Sequence, residues 1–551
     1  MRHLMTRKYY ILIFLFATFV FKGQNWLWTK SPGGTYGDEG IAVDADVSGN
    51  ALMSGHFTSS SLAFGTSTIT NNGGYDIFVV KYDPTGIPLW AKSAGGTAND
   101  FCYSVATDNS GNVFICGHFE SPSITFGTFT LTNSGSSNVF VAKYNSTGNI
   151  LWAKSATGTG ADKCLSVETD PTGNVLITGT YKSPVITFGP FSLSNAGTSN
   201  FFLVKYDTNG NVIWAKKNGG TGIDASNAID TDNSSNVFIS GFFSSPSLAF
   251  GASTLTTTAG DGEVFVAKYD SNGNPLWAKK AVGYGYSDEG NSLDVDASGN
   301  VYITGDYMSP TITFSSTSLN NAGTFPNVFL AKYDNNGNFL WAKTAGGTGG
   351  IIGDIGYSVN SYTGGVYVSG SFYSPSMAFG TTTISPANGG LDPMFLARYD
   401  ANGNFVSAIS LSSGGDDQNE INTSPNGETY LAGDFQSHPF IVGKDTLNFG
   451  TGEFIFLSKF NDQIESVSEL NNSAQFAIFP NPNDGCFKIR IDVDIKNGEI
   501  VLINSLGQIV YEQKIFQGIN NINSIGLSEG LYSFLILQDK LTFCKGKMSV
   551  D

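Results

Sequence analysis

A tryptophan returns through this chain at Trp28, Trp90, Trp152, Trp214, Trp277 and Trp341, at intervals of 62, 62, 62, 63 and 64 residues. Self-similarity at such a period means one supersecondary unit stacked on copies of itself, which limits the fold more than any composition does. A second mark, Lys-Tyr-Asp or a variant, falls at Tyr82, Tyr144, Tyr206, Tyr269, Tyr333, Tyr399 and, as Lys-Phe-Asn, at Phe460. That makes seven units. The tryptophan slot has a seventh member in Ser407, within "NFVSAIS". The first tryptophans sit in Asn25–Lys30, "NWLWTK", a stretch that later ends each unit as "NILWAK", "NVIWAK", "NPLWAK" and "NFLWAK".

The second unit reads as four strands. "YSVATD" (Tyr103–Asp108), "NVFICGHF" (Asn112–Phe119), "NVFVAKY" (Asn138–Tyr144) and "ILWAKSA" (Ile150–Ala156) are separated by Asn, Asp and Gly turns. Those turns supply the residues that tolerate positive φ. With 67 Gly, 42 Phe and 23 Tyr in 551 residues, the chain is built for short strands and tight turns. The third strand is apolar on both faces, Val139 and Val141 on one and Phe140 and Ala142 on the other. A sheet with one solvated face would alternate, so each sheet is expected to be packed on both sides. The expected fold is therefore all-β, a seven-bladed β-propeller spanning residues 24–461. Its seventh unit ends on a third strand, "FIFLSKF" (Phe454–Phe460), which leaves an open edge. The orphan Asn25–Lys30 is predicted to pair with residues 454–460 and close the ring.

The pattern "DxxGNVYxTGxF … VFxAKYDxxGNxxWAK … GG" resembles the seven-bladed propeller repeat family (SBBP repeats) of bacterial surface proteins. Units six and seven, "SVNSYTGGV" and "INTSPNGE", depart from it by losing the Asp of "TDNSGN". After a polar linker at 462–475, residues 476–551 alternate as a small antiparallel β-sandwich. This block resembles the type A sorting domain of the type IX secretion system of Bacteroidota. The likeness rests on "FPNPNDGCFKI", "INSLGQIV", "LSEGLYSF" and a basic last strand. Pro480, Asn481, Pro482, Gly485, Gly507, Gly530, Tyr532, Lys545 and Lys547 carry it. The resemblance implies handling by the type IX secretion machinery. Residues 1–23 read as a signal peptide, with Arg2, Arg7 and Lys8 before an apolar run of 13, Tyr9–Phe21. Two-step export to the cell surface or the extracellular space is the expectation, with a mature protein that does not span the membrane.

The formal charge of −17 becomes −21 without the four basic residues of the leader, Arg2, Arg7, Lys8 and Lys22. Such a balance argues against nucleic acid and against anionic lipid. The five cysteines form neither a disulfide framework nor a Cys-x-x-Cys site, though Cys486 and Cys544 are candidates to pair.

Strand alternation puts the one–two and three–four turns on one face, and the long two–three segments with the four–one loops on the other. The unit exceeds a typical propeller repeat by about 20 residues, and the excess falls in the two–three segment. Any binding site is expected on this long-loop face. Asp38, Asp100, Asp162, Asp224, Asp288, Asp354 and Asp416 recur there just before each first strand. They are candidate ligands for sugar hydroxyls or a cation. Recurrence in every unit favours the alternative, a turn cap that accepts backbone N–H bonds. Asp44 and Asp46, Asp230 and Asp232, and Asp294 and Asp296 lie in loops such as "DADVSGN" that resemble Ca²⁺ loops. They lack the closing bidentate acid, so Ca²⁺ is a candidate cofactor that turn chemistry makes unnecessary. His56 and His118 share one slot, read as a tolerant edge of strand two rather than a metal pair. The tryptophans are read as packing residues, and "GLSEG" (Gly526–Gly530) as a chance match to a nucleophile elbow, with no histidine in its domain.

The expected function is a non-enzymatic surface module binding a glycan, polymer or protein. The rival is a polysaccharide hydrolase or lyase, for which Asp306, Asp434 and Glu263 are the unit-specific acids. A purely structural surface or gliding-matrix component would have the same sequence character.

Overall fold

The computed structural model describes residues 25–461 apart from 36, 258–260, 322, 350–351, 387–392, 412–418, 437–438, 444 and 448–451. It also describes 476–479, 486–491, 498–503, 509–523, 530–538 and 541–550. The signal-peptide and linker expectations, "GLSEG" before Gly530, and Pro480, Asn481, Pro482, Gly485 and Gly507 lie outside these residues. The side chains of Cys486, Cys544, Tyr532, Lys545 and Lys547 do as well.

Seven four-stranded antiparallel sheets form the first unit, residues 1–461. Their innermost strands are Asp38–Ala45, Asp100–Thr107, Asp162–Thr169, Asp224–Thr231, Asp288–Val295, Asp354–Tyr362 and Glu420–Thr423. Each touches the next, and the seventh touches the first, so the sheets are blades around a closed ring. Second and third strands such as Val113–Phe119 and Asn138–Tyr144 are buried along their whole length, as face-to-face blade packing requires.

The ring closes as the sequence predicts. Asn25–Lys30 is the fourth strand of blade seven, paired antiparallel with Phe454–Asn461, Trp26 opposite Phe460 and Lys30 opposite Leu457.

The tryptophan period has a specific cause. Each indole Nε1–H donates to a carbonyl in the three–four turn of the following blade: Trp28 to Pro84 at 3.1 Å, Trp152 to Thr208 at 3.2 Å, Trp341 to Ala401 at 3.3 Å. The turn's glycine lies against the ring. A lysine of the third strand reaches the same carbonyl while pairing with an Asp in its own blade, as Lys205 does with Ser271 O and Asp170. Ser407 now makes sense. The blade after it is the seventh, whose third and fourth strands belong to opposite ends of the chain, so no three–four turn exists to be pinned.

This staple gives a clean prediction. Gly210 has φ +79°, and a Cβ there would stand 2.9 Å from the Trp152 ring. Gly427 has nearly the same φ, +80°, with nothing within 4 Å. Gly427→Ala should cost about 1 kcal/mol from backbone strain alone, and Gly210→Ala about 2–3 kcal/mol because the staple must also shift. Denaturant midpoints of the two variants, measured side by side, check this difference.

The long two–three segments are not open loops. Each holds a two-stranded hairpin, such as Ser123–Phe126 with Phe129–Thr132, and plants alternate residues in the core. Ile124, Phe126, Ile186, Phe188, Leu248 and Phe250 are all buried. The hairpin of one blade also contacts the fourth strand of the blade before it; in blade five it adds two ladder pairs, Ala281 with Phe314 and Val282 with Thr313. The extra length thus forms a second clasp between neighbours.

Among the described residues of the second unit, 462–551, there are two sheets. One has Phe476–Phe479, Cys486–Ile491 and Gly518–Asn523; the other has Ile509–Ile515, Gly498–Ile503, Gly530–Gln538 and Leu541–Val550. Phe487, Ile489, Ile500, Leu502, Ile522 and Ile536 form one core between them, which is a β-sandwich.

Candidate binding face and channel

Six of the recurring aspartates, Asp38, Asp100, Asp162, Asp224, Asp288 and Asp354, are at most 1% exposed. Asp416 lies outside the described residues. Asp162 shows why they recur: its Oδ1 accepts the N–H groups of Lys182 and Ser183, both at 3.0 Å, and its Oδ2 accepts the Ser183 hydroxyl. Asp100, Asp224 and Asp354 make the same bonds to Ser121, Ser245 and Ser374. Burial raises the carboxyl pKa of Asp38, Asp100, Asp162, Asp288 and Asp354 while these donors lower it. These side chains anchor the start of each hairpin segment and do not form an acidic mouth.

The three pairs of candidate Ca²⁺ ligands are split by the end of the first strand, which falls between their members at Ala45, Thr231 and Val295. Asp46, Asp232 and Asp296 turn back to cap their own one–two turns; Asp46 accepts the N–H groups of Ser48 and Asn50 and pairs with Lys81 at 2.7 Å. Asp44, Asp230 and Asp294 stand within their strands and line the central channel, whose wall also takes in Asp232 and Asp296. The second member of each pair lies just past its strand end, its oxygens taken up by turn N–H groups and a third-strand lysine, so it is committed to the turn rather than to an ion shared with the first. Among the described residues no group of three or more His, Cys, Asp or Glu side chains is placed to hold a metal.

His56 and His118 are not on an edge. Strand two is interior, and they are 3% and 1% exposed. His56 Nε2 lies 3.1 Å from Glu39 Oε2, and His118 stacks against both Phe101 and Tyr103, at 4.9 and 5.5 Å. Burial pushes the His118 pKa down to about 3, so the ring is neutral.

Of the unit-specific acids, Asp306 lines the channel, while Glu263 accepts the Gly283 N–H at 3.2 Å and faces Lys280 at 3.9 Å. Asp434 is buried in the second strand of blade seven and is not among the channel-lining residues. The three do not form a pair of facing carboxylates.

The channel itself encloses a cavity of about 1390 Å³. Its wall is sewn together by inner-strand side chains, because neighbouring first strands share no ladder. Ser104, Ser166, Ser292 and Ser358 accept the N–H of Val167, Ile229, Val359 and Ile421 in the next blade at 3.1–3.3 Å. At the blade seven to blade one junction Glu420 takes the serine's place and accepts from Val43 at 2.6 Å. Two positions further along the strand stand Asp44, Glu168, Asp230 and Asp294. Desolvation pushes Asp44 and Asp294 up to about 6 and also raises Glu168 and Asp230 well above the usual carboxylate range, and Asp230, Asp44 and Asp294 all add to the rise at Glu168. Sequence reasoning passed over Glu168 and Glu420; their signal is an acid interrupting a Ser, Ala or Asn slot.

On the long-loop face one four–one loop breaks the pattern. Where blades two and four are entered through "GGTAN" and "GGTGI", blade five is entered through "GYGYS". Tyr284 and Tyr286 are 67% and 46% exposed. The loop is held by Tyr284 N–H to Ser309 Oγ and Gly285 N–H to Asp261 Oδ2, both 3.0 Å. Neither tyrosine was a sequence-level candidate, although Tyr284 stands where blades two and four have Gly96 and Gly220, and Tyr286 where they have Ala98 and Gly222.

Residues 477–550 match the secretion system C-terminal sorting domain, and residues 89–118 and 276–306 match the beta-propeller repeat of the SBBP type. The chain is 26% identical over 396 residues to an uncharacterized WD repeat-containing protein, L264, of Acanthamoeba polyphaga mimivirus, covering 58% of this chain. It is 24% identical over 284 residues to the regulatory protein FlaEY of Caulobacter vibrioides, covering 47% of this chain. Each alignment spans 28% of the relative's own length. Among solved structures, a Dyadobacter fermentans protein of unknown function aligns at 10% identity and TM-score 0.35, over 65% of this chain and 93% of its own. PorZ, a type IX secretion surface component of Porphyromonas gingivalis, aligns at 9% identity and TM-score 0.21, over 95% of this chain and 100% of its own. Likeness at those scores carries nothing about function. The chain is a seven-bladed propeller of SBBP-type repeats with a type IX sorting domain, which implies handling by that secretion machinery and export to the surface or beyond. No helix among the described residues is long and apolar enough to cross a membrane.

Proposed function

We propose that the exported propeller binds a polysaccharide on its long-loop face and holds it without cleaving it. The observation that carries this reading is the Tyr284–Tyr286 loop, two exposed rings on a backbone pinned by Ser309 and Asp261. Tyrosine presents a flat apolar face that packs on sugar C–H groups and a hydroxyl that bonds sugar oxygens, at little rotamer cost. The acidic surface turns away nucleic acid and anionic lipid. Hydrolysis or lysis needs two carboxylates in unlike environments flanking the bond. Glu263 is engaged by backbone and lysine, and Asp306 has its own partner in Asn291 at 3.0 Å.

The test is a glycan-array screen of the full chain, with and without Ca²⁺, alongside Tyr284→Ala/Tyr286→Ala. Saturable binding that falls at least tenfold in the folded double variant is the expected result. Release of reducing or unsaturated ends from the bound polymer would replace this reading with the enzyme. Binding unchanged in the variant, or none in the parent, would leave a protein-binding or structural surface component.

A further inference from the structure

The channel carries a separate inference, independent of the tyrosine loop. Asp44, Glu168, Asp230, Asp294, Glu289, Asp306 and Glu420 line it, and Lys163 is the one lysine or arginine among its described lining residues. Acidic residues alone do not make a site, but the wall also holds an unsatisfied group. Asn419 is 3% exposed and lines the channel, yet neither its Nδ2 nor its Oδ1 has a hydrogen-bond partner among the described residues. A buried amide left wholly unpaired is unfavourable, and a ligand with donors would satisfy its Oδ1.

Six of these acids fall in two layers; Glu420 accepts the Val43 N–H, and Asp108, Asp170, Asp232 and Asp296, which also line the channel, pair with third-strand lysines. Asp44, Glu168, Asp230 and Asp294 occupy one strand position in blades one, three, four and five. Glu289 and Asp306 occupy facing positions on paired strands nearer the long-loop face. Glu289 and Asp294 are five residues apart on one strand, a rise of roughly 15 Å. Asn419 lies between these layers in strand position. Among the described residues no three acids converge on a metal, so a single small ion does not match the distribution, whereas an extended cation does.

We propose that the channel binds a linear polyammonium ligand, its terminal ammonium groups meeting the two carboxylate layers and a central N–H donor meeting Asn419. An ammonium carries three donors and no acceptor, which suits walls rich in carboxylate oxygens. Desolvated carboxylates that repel one another are relieved by a cation between them.

The probe is spermine, titrated calorimetrically into the full chain in 150 mM NaCl, with putrescine and MgCl₂ as comparisons. One site per chain is expected, with putrescine and Mg²⁺ each at least tenfold weaker. Glu168→Gln/Asp230→Asn should weaken spermine at least tenfold. Asn422→Asp restores a carboxylate at the same strand position in blade seven, and it should tighten binding about threefold or more. That second variant keeps the test open if the first fails to fold. Equal affinity for Mg²⁺, several weak sites, or an Asn422→Asp protein that binds no tighter would overturn the proposal. Tyr284→Ala/Tyr286→Ala should leave spermine binding unchanged, so this site and the polysaccharide reading can fail separately.

Discussion

A chain lacking Asn25–Lys30 is expected to lose the closed ring. Those six residues supply the whole outer strand of blade seven and much of its sealing contact. Trp26 is 8% exposed and stacks on Phe460 with ring centroids 4.8 Å apart. The Thr29 N–H donates to Asp445 Oδ2 at 2.9 Å, and the Ser458 hydroxyl donates to Thr29 Oγ1 at 3.0 Å. Trp28 reaches across to Pro84 in blade one and is the staple between the last blade and the first. Deletion strips two tryptophans, worth roughly 3–5 kcal/mol each when truncated in a core, and leaves Phe454–Asn461 with an unpaired edge. The deleted protein should melt at least 10 °C lower and elute from size exclusion as oligomers built on that edge. Trp28→Leu, which keeps the strand and removes one staple, should lower the melting temperature by a smaller amount and stay monomeric. A deletion variant as stable as the parent would mean that blade seven holds with three strands and that the N-terminal strand is decoration.

The ring was legible because its signals are repeated and local. A tryptophan every 62 or so residues, a strand pattern apolar on both faces and an orphan terminal strand each follow from the sequence without knowing what touches what. The sites were less legible, and the reason is physical. The Asp38 series is regular because in each of the six blades where it is described the aspartate anchors the hairpin segment, so its recurrence reports scaffold chemistry. Asp44, Glu168, Asp230 and Asp294 share a position with Ala106, Asn360 and Asn422, and that irregularity hid Glu168. Only the ring's curvature brings the four carboxylates to face one another. Glu420 is hidden for another reason: it does a serine's work at the closing junction, a relation visible only when Val43, 377 residues away, lies beside it. The hairpins were missed because strands of four residues fall below the length at which alternation stands out.

The same carboxylates make stability depend on pH in an unusual direction. Asp44 and Asp294 are raised to about 6, Asp306 to about 7 and Glu420 to about 8; Glu168, Asp230 and Glu289 are raised as well. In every case the largest cause is desolvation by burial. A carboxyl whose folded pKa exceeds its unfolded value binds its proton more tightly in the native state, so stability rises as pH falls from the folded pKa toward about 4. His118 opposes this: buried and held to about 3, it resists the proton that the unfolded chain accepts below about 6.5. Asp46, Asp170 and Asp232 are lowered by their lysine and asparagine partners, and their contribution is lost only in stronger acid. Seven raised groups against one histidine predict that the propeller is more stable at pH 5.5 than at pH 8 by a few kcal/mol or more, since each pKa unit is worth about 1.4 kcal/mol. The melting temperature should therefore pass through a maximum near pH 5, and the triple change Glu168→Gln/Asp230→Asn/Asp294→Asn should raise it at pH 8 while flattening the profile. Spermine should lift the parent's melting temperature at pH 8 far more than at pH 5, because protons and ammonium groups relieve the same repulsion. A melting temperature that climbs steadily from pH 5 to pH 8 would show that these carboxylates are ionised in the native channel without penalty, and would place the balance of charge elsewhere in the ring.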